Sequence, residues 1–367
     1  NKQGEKHMKN VKNILMFITV SAFLFSSAQR VNSLGGNVGY WEGDDNEWTM
    51  FPHTLNNSNL AQVAGLGSDA HEAYVRWGEG TKWGFSWNQA KANDMLNLQW
   101  GNGSMGATFG FGMASEDDGD DTNGKAKTYT GLSASFGMAM GFGELGVGFN
   151  NSSRDLGDGA TDQPATMGFW ANIRRAQNLW IFDQMLVQFE YGSDNTNYDA
   201  DGEAESANKD ASTDMELSTS FFTHIDIADG TTGLLAMGFS YMTNGAGDAS
   251  TTNIMLPTWI FGVESAMTDW ATCRVGLKSA YVLSNTYDSG VAGAKAVSNS
   301  GNNYTEWSVG CRINLLGFLT PVISPTGMSW SVSRITISCL SSQAPPSSVE
   351  TISTASGIEN LALFRST

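Results

Sequence analysis

Residues Tyr304 to Leu315 read YTEWSVGCRINL, and from Trp307 onward apolar and polar or small residues alternate without a break. In a β-strand successive side chains point to opposite faces, so this period of two separates the residues into two faces. The apolar face holds Trp307, Val309, Cys311, Ile313 and Leu315, and the other holds Glu306, Ser308, Gly310, Arg312 and Asn314. The stretch therefore predicts a strand with one apolar face.

The same alternation recurs along the chain, in 132–142, 215–225 and several shorter runs. A soluble β-sandwich also alternates, but its strands are usually about five or six residues long. Many of these runs extend over ten to fourteen residues, and a tilted strand needs about 9 to 11 to cross a bilayer. Their second face is mostly Gly, Ser, Thr or Asn. The pattern predicts an all-β fold, a transmembrane antiparallel β-barrel with apolar residues outward.

The connections between these strands alternate in length, as they do in outer-membrane barrels. Long polar stretches are predicted at 114–126, 151–164, 192–212, 244–251 and 284–303, and short turns near 139–143, 175–178, 226–231 and 266–269. Counting backward from them requires a strand within Leu34 to Pro52, before the strand at 73–77. The count reaches fourteen strands, within a range of about 12 to 16.

Composition excludes other classes of protein. The 367 residues include 42 Gly and only 16% charged residues, while the apolar content of 41% is too high for a disordered chain. After the N-terminus no apolar run reaches the ~18 residues of a spanning helix, which excludes a helical membrane bundle.

The N-terminus has the pattern of a cleaved secretory signal peptide. Lys9 and Lys12 precede the apolar run Ile14 to Phe25, and the small residues Ser26-Ser27-Ala28 follow it. Twelve residues span only about 18 Å as a helix, too short for a ~30 Å hydrocarbon core. Residues 1–7 precede Met8, and we interpret them as an upstream extension. We expect secretion through this peptide, with the mature chain starting near Gln29.

Charge argues against nucleic acid as a partner. Residues 1–28 hold four Lys and one Glu, so 16 basic and 36 acidic residues remain, for a net charge of −20. Binding a polyanion needs a basic stripe, and the sequence has none. Cys273, Cys311 and Cys339 have no CxxC spacing, so we expect small buried thiols, with pairing of Cys273 and Cys311 across neighbouring strands as the alternative.

The predicted organisation has four parts. Residues 1–28 are the extension and signal peptide, 29–70 an N-terminal segment, 71–318 the barrel, and 319–367 an atypical tail. The tail is rich in Ser and Pro and lacks alternation. Either the barrel closes at Phe318 and a loose extension follows, or a reading-frame error has replaced the last strands.

Residues near the start of the mature chain resemble outer-membrane barrels of the FadL-type transporter and PorV-like group. The similarity is carried by Asn32–Gly39, Asp44-Asp45, Phe51-Pro52 and Leu55, with Phe51-Pro52-His53 where those families usually have Asn-Pro-Ala. Residues 268–276 also resemble the turn and strand start common in such barrels. The resemblance implies a hatch within residues 29 to about 70 and diffusive transport without energy coupling. The alternative is a first strand followed by a periplasmic turn.

Ionisable residues on the polar face are candidates for lining a pore, where charged rings set ion preference. They are Glu190, Glu216, His224, Arg274, Lys278, Glu306 and Arg312. The alternative is that they are paired charges filling a polar interior. A second candidate is a calcium-like loop with alternating oxygen ligands, formed by Asn197, Asp199, Asp201, Glu203 and Glu205. Its twelfth position is Asn208 instead of a Glu, so a solvated acidic loop is the alternative.

These observations predict a protein of the outer membrane of a diderm bacterium, in contact with outer-membrane lipid. The expected function is a passive channel or transporter for small or hydrophobic solutes. The alternative is a non-conducting barrel that serves as a secretion-linked or surface scaffold. No catalytic residue or cofactor is expected, because the histidines have no Ser or Cys partner at the spacing of a nucleophile.

Overall fold

The computed structural model describes residues 27–57, 59–64, 72–88, 95–116, 127–155, 165–194, 212–247, 249–268, 271–290, 297–300, 304–313, 323–324, 327–328 and 341–342. The apolar run assigned to a signal peptide lies outside these residues, as does most of the tail after residue 313. None of the helices within the described ranges is long and apolar enough to cross a membrane.

The described chain opens with short helices and continues as β-strands. The helices are α1 (Ser27–Ser33) and three 3-10 helices, η1 (Val38–Tyr40), η2 (Glu47–Thr49) and η3 (Pro52–Asn57). The strands are β1 (Leu60–Ala64), β2 (Glu72–Trp77), β3 (Lys82–Asn88), β4 (Leu96–Gly101), β5 (Met105–Glu116), β6 (Lys127–Met140), β7 (Gly143–Asp155), β8 (Ala165–Leu179), β9 (Phe182–Asp194), β10 (Ser212–Ala228), β11 (Thr231–Ala246), β12 (Ala249–Thr268), β13 (Ala271–Asp288), β14 (Val297–Asn299), β15 (Tyr304–Ile313), β16 (Ile323–Ser324), β17 (Gly327–Met328) and β18 (Ser341–Ser342).

The strands form one antiparallel sheet in chain order. Each strand from β1 to β13 pairs with the next, and β15 follows β13, which gives fourteen consecutive strands. The short strands β14 and β18 pair with β13 and β15, while β16 and β17 form a separate hairpin. The predicted all-β class and strand number are confirmed. Among the described residues no ladder joins β1 to β15 or β18, so these pairings leave the closure of the sheet open.

One face of the sheet, here called the outer face, carries the large apolar side chains that alternation predicted. They are exposed on strand after strand, for example Phe109 on β5, Leu132 on β6, Leu277 on β13 and Trp307 on β15. A soluble protein rarely exposes so continuous an apolar surface. The predicted alternation of faces is therefore confirmed for these strands.

The opposite face, here called the inner face, packs against residues 27–57, here called the N-terminal segment. At one end Nη2 of Arg76 on β2 donates to the Asp45 carbonyl oxygen at 2.9 Å. At the other end a Cβ on Gly276 of β13 would lie 2.6 Å from the Gly35 nitrogen. Because one short segment touches strands so far apart in the order, the sheet curves around it.

The strand predicted within Leu34 to Pro52 is wrong. That stretch forms turns and 3-10 helices, and the first strand is β1, which begins at Leu60. Gly35, Gly36 and Gly43 have φ values of 103°, 81° and 78°, a region that interrupts an extended strand. The positive φ values at these glycines thus prevent the strand that the count of connections required.

The core lies between the N-terminal segment and the inner face. Leu34, Tyr40, Trp41 and Phe51 from the segment pack with side chains from the strands, which are Leu186, Phe222, Leu234, Ala236 and Ile260. Phe222 is fully buried and its ring meets Tyr40 edge-on, with centroids 5.0 Å apart. The apolar core of this protein therefore lies on the face that alternation assigns to small and polar residues.

Glycines on the inner face let the segment approach the sheet closely. A Cβ on Gly106 would lie 2.2 Å from the Pro52 carbonyl oxygen, and one on Gly137 would lie 2.6 Å from the Pro52 nitrogen. A Cβ on Gly146 would lie 1.9 Å from the Met50 carbonyl oxygen. Each distance is shorter than a non-bonded contact, so the backbone of residues 50–53 occupies the space that side chains would fill. Gly106, Gly137 and Gly146 therefore allow the segment to pack directly against the sheet backbone.

Two of the predicted connections differ in the structure. The stretch 244–251, predicted as a long loop, is a tight hairpin, because β11 extends to Ala246 and β12 begins at Ala249. The turn predicted at 175–178 lies at Trp180 and Ile181, where Trp180 has a φ of 58°. In both places the strands continue through polar residues, because hydrogen bonds to a neighbouring strand do not depend on side-chain polarity.

The prediction of a buried thiol is wrong for Cys273. This side chain is exposed on the outer face, where Cys273 lies opposite Cys311 in the β13–β15 register. Odd-numbered residues of β13 point outward, which places the cysteine among apolar neighbours on the surface. Cys339 lies outside the described residues.

Replacing Gly146 by Ala should loosen the N-terminal segment, because the new methyl group would overlap the Met50 carbonyl. We expect a loss of about 1–3 kcal/mol, the usual cost of overpacking, and faster cleavage of residues 27–57 by proteinase K. Gly141→Ala is the matched control, since its Cβ meets nothing within 4 Å. Equal cleavage of both variants would contradict this seating.

Candidate functional site

A buried arginine on β8 joins the N-terminal segment to the sheet. Nε of Arg174 donates to Oε2 of Glu144 on β7 at 2.6 Å, and its Nη1 donates to the Gly39 carbonyl oxygen at 3.1 Å. Its Nη2 bonds to the carboxylate of Glu47, and its guanidinium lies 4.8 Å from the ring centroid of Phe51. Arg174 and Glu47 are both almost fully buried. This contact is a desolvated ion pair between the segment and the sheet.

Hydrogen bonds complete this cluster of Arg174, Glu47, Glu144 and His53, here called the central cluster. Oε2 of Glu47 accepts from the Gly43 backbone N–H at 2.8 Å, and Nε2 of His53 lies 3.0 Å from Oε1 of Glu144. Burial raises the pKa of Glu47, although Arg174 and the Gly43 N–H favour its charged form. The carboxylate thus depends on these partners to remain charged.

A second cluster lies where the segment begins, and here it is called the edge cluster. Nε of Arg30 donates to Oε2 of Glu264 at 3.0 Å, and its Nη1 donates to Oδ2 of Asp44 at 3.0 Å. Arg274 donates through Nε to the same oxygen of Glu264 at 2.5 Å. Burial lowers the pKa of Arg30, but the two carboxylates more than offset this and leave it above its ordinary value. The edge cluster therefore fastens α1 to β12 and β13.

The structure separates the predicted pore-lining residues into different surroundings. Arg274 belongs to the edge cluster, and the ring of His224 lies 5.1 Å from that of Trp41. Glu190 and Glu216 are register partners on β9 and β10, as are Lys278 and Glu306 on β13 and β15.

The other predicted site residues lie partly or wholly outside the described residues. Arg312 lies opposite Thr272 in the register, and its side chain is outside the described part of the chain. The calcium-like loop, with Asn197, Asp199, Asp201, Glu203 and Glu205, also lies outside the described residues.

Three neighbouring cavities lie on the inner face, in the half of the sheet nearer the long connections, and residues of the segment also line two of them. Cavity A has a volume of about 660 Å³, with Gly35, Gly36, Asn37 and Tyr40 as its floor. Cavity B, of about 580 Å³, shares Glu216 and Met242 with cavity A. Cavity C, of about 360 Å³, shares Asn150 and Trp170 with cavity B. Together they form a row along the inner face.

Charge differs along this row. Cavity A is lined by Glu216, Glu306 and Lys278, and burial raises the pKa of Tyr40 in its floor to about 12. Cavity B is acidic, with Glu190, Asp194, Asp214 and Glu216. Cavity C has no charged side chain among its described lining residues. The charge of the described lining residues thus differs from one cavity to the next.

Sequence reasoning missed the central cluster, although part of it follows a simple rule. Glu144 and Arg174 are register partners, and both belong to the inner face of their strands. Two opposite charges directly across neighbouring strands could therefore have predicted this ion pair. Glu47 and His53 come from the N-terminal segment, which has no periodic pattern of apolar residues. Their neighbours in the sequence therefore do not indicate that they contact β7 and β8. Comparison of the chain with protein-family models and with curated proteins gives no match.

Replacing Arg174 by Met should weaken the docking of the segment, because it leaves Glu47 buried without its cation. Removing one partner of a buried pair costs about 3–5 kcal/mol, which should appear as a lower unfolding midpoint in urea. Arg175→Met, one residue along the same strand, makes the identical exchange outside the central cluster and should change the midpoint little. Similar midpoints for the two variants would refute the role of Arg174.

Proposed function

We propose that this chain is an outer-membrane β-barrel that acts as a passive transporter, with its N-terminal segment as a hatch. The observation that carries the proposal concerns the two faces of one long antiparallel sheet. The outer face is apolar and exposed, and the inner face packs around a buried segment with both apolar and charged side chains. This is the pattern of a sheet with lipid on one side and a lumen on the other.

Strand length and backbone pairing support a membrane location. Strands β5 to β13 contain 12 to 20 residues, more than a bilayer crossing requires. In lipid every backbone N–H and C=O must be paired within the protein, so a membrane form needs its first and last strands joined. Closure of the barrel is therefore part of the proposal.

Transport is supported by the position of the segment relative to the cavities. Its buried contacts lie near the short turns, for instance at Glu144, two residues after Phe142, whereas cavities A to C lie toward the long connections. A solute entering from the long-loop side would meet these cavities first and then the segment. The resemblance to FadL-type transporters agrees with such a hatch and with diffusion that needs no energy coupling.

A second candidate is the non-conducting scaffold of the PorV-like kind. It is favoured by how thoroughly the segment is fixed, with Phe51 and Leu55 fully buried and two clusters of ion pairs around it. A segment that never moves would leave no path through the lumen. The two candidates therefore differ in whether the hatch can open.

The membrane location can be tested on the outer face. Leu277 is 40% exposed near the middle of β13, and an Arg there should cost about 2–4 kcal/mol at the bilayer midplane. A surface substitution in a soluble protein usually stays within about 0.5 kcal/mol. Unfolding in urea of the refolded Leu277→Arg variant in phospholipid vesicles measures the difference, and a negligible change would count against lipid at this face.

The transport function can be tested by single-channel recording of the refolded chain from residue 29 in a planar bilayer. Folded wild-type protein should conduct rarely, and Arg174→Met should show discrete steps more often because the segment is released more easily. Adding Lys278→Glu should then raise cation preference. Gly141→Ala serves as the control. Silence from every folded variant would reject the transporter and leave the scaffold.

A further inference from the structure

Cavity C differs from its neighbours because aromatic rings and uncharged polar groups line it together. The rings are Trp48 of the segment, Tyr74 of β2, Phe149 of β7 and Trp170 of β8. The polar groups come from Asn97, Asn150, Thr49, Thr108, Ser133 and Ser135. We propose that cavity C binds a neutral sugar, a polyhydroxylated ring compound with one apolar face.

The aromatic rings are held in place by the structure around them. Trp48 and Tyr74 meet edge-on with centroids 6.1 Å apart, and the Arg76 guanidinium lies 5.4 Å from the Trp48 ring centroid. Trp170 lies against Gly148, its register partner, where a Cβ would be 2.2 Å from the indole Cε2. A ring backed by a glycine presents its other side to the cavity. Such fixed rings suit the C–H face of a sugar, which packs against aromatic surfaces.

The polar lining matches the hydrogen bonding of sugar hydroxyls. Asn side chains donate through the amide nitrogen and accept through the oxygen, and Ser and Thr hydroxyls do both. A sugar hydroxyl also donates and accepts. The hydroxyls of Thr108 and Ser135 already bond to each other at 2.6 Å, which shows that the hydroxyls of neighbouring strands converge here.

Other classes of ligand fit this lining less well. A fatty acyl chain would take the half-buried Asn150 amide out of water without offering it a hydrogen bond, at a cost in free energy. A phosphate would call for Arg or Lys, and a cation for carboxylates, but the described lining residues of cavity C include neither. The carboxylates of the row line cavities A and B instead.

The space fits a sugar of one or more rings. The volume of about 360 Å³ falls within the usual range for small-molecule sites. Through Asn150 and Trp170 it continues into cavity B, which adds about 580 Å³ for a second ring. Because Trp48 belongs to the N-terminal segment, a bound sugar would contact both the hatch and the sheet and would stabilise their docked arrangement.

This inference deepens the proposed function by naming a class of solute. Transport of the sugar rests on the proposed function, but binding of the sugar in cavity C does not. The test is isothermal titration of refolded protein with glucose and with maltose, in lauryldimethylamine oxide, a detergent without a sugar head group. We expect saturable binding of at least one sugar with Kd of about 1 mM or tighter, within the measurable range.

Two variants test binding at the side of cavity C that it shares with cavity B. Asn150→Ala removes an amide and Trp170→Leu removes a ring, and each should raise Kd at least tenfold in protein whose gel mobility remains heat-modifiable. Trp259→Leu, on the outer face, is the matched control and should leave Kd unchanged. Binding that the control abolishes and the cavity variants spare would overturn the assignment.

The absence of saturable binding of both sugars at 50-fold above the expected Kd would also overturn it. The outcome is separable from that of the recordings. Sugar binding by a protein that never conducts would reject transport and retain this site, while conduction without sugar binding would reject the site alone.

Discussion

Close backbone approach between the N-terminal segment and the glycines of β5, β6 and β7 is the constraint on which the rest of this structure depends. Residues 50–53 lie where the Cβ atoms of Gly106, Gly137 and Gly146 would otherwise be. Only residues without a side chain allow a second layer of backbone at this distance. Glycine at these three positions thus follows from the close packing of the segment against the strands.

The segment and the sheet also depend on each other electrostatically. Burial of the Arg174 charge would cost free energy without the carboxylates of Glu47 and Glu144. The Glu47 carboxylate in turn needs Arg174 and the Gly43 N–H to remain charged. A charge network of this kind fixes one docked geometry, since a shifted segment would leave charges unpaired. It also provides a point at which a single substitution could release the segment.

Much of the sheet could be predicted from alternation alone, because the exposure of residues such as Phe109 and Leu277 depends only on their parity in a strand. The strand expected within Leu34 to Pro52 could not be corrected in that way, because positive φ at Gly35 and Gly36 is a three-dimensional property. The burial of Phe222 could not be predicted either, because its partner Tyr40 lies in the N-terminal segment. Local pattern therefore predicts which face a residue occupies, but not what that face contacts.

The candidate site was predicted less well, for the same reason. Glu190, Glu216, Lys278 and Glu306 were recognised as inner-face residues and do line the cavities. The central cluster was not, because Glu47 and Arg174 are 127 positions apart and no period links them. Trp170 was overlooked because its role depends on the glycine across the ladder.

The most direct test of this account is whether the segment is docked on the inner face in the folded protein. Gly101 and Leu55 suit a disulfide, because a Cβ on Gly101 would lie 3.4 Å from that of Leu55. In a background with Cys273, Cys311 and Cys339 changed to Ser, the pair Leu55→Cys and Gly101→Cys should cross-link under mild oxidation. Leu55→Cys combined with Gly141→Cys should not. Mass spectrometry of peptides that joins residue 55 to 101 is the predicted result, and free thiols at both positions in folded, oxidised protein would contradict the account.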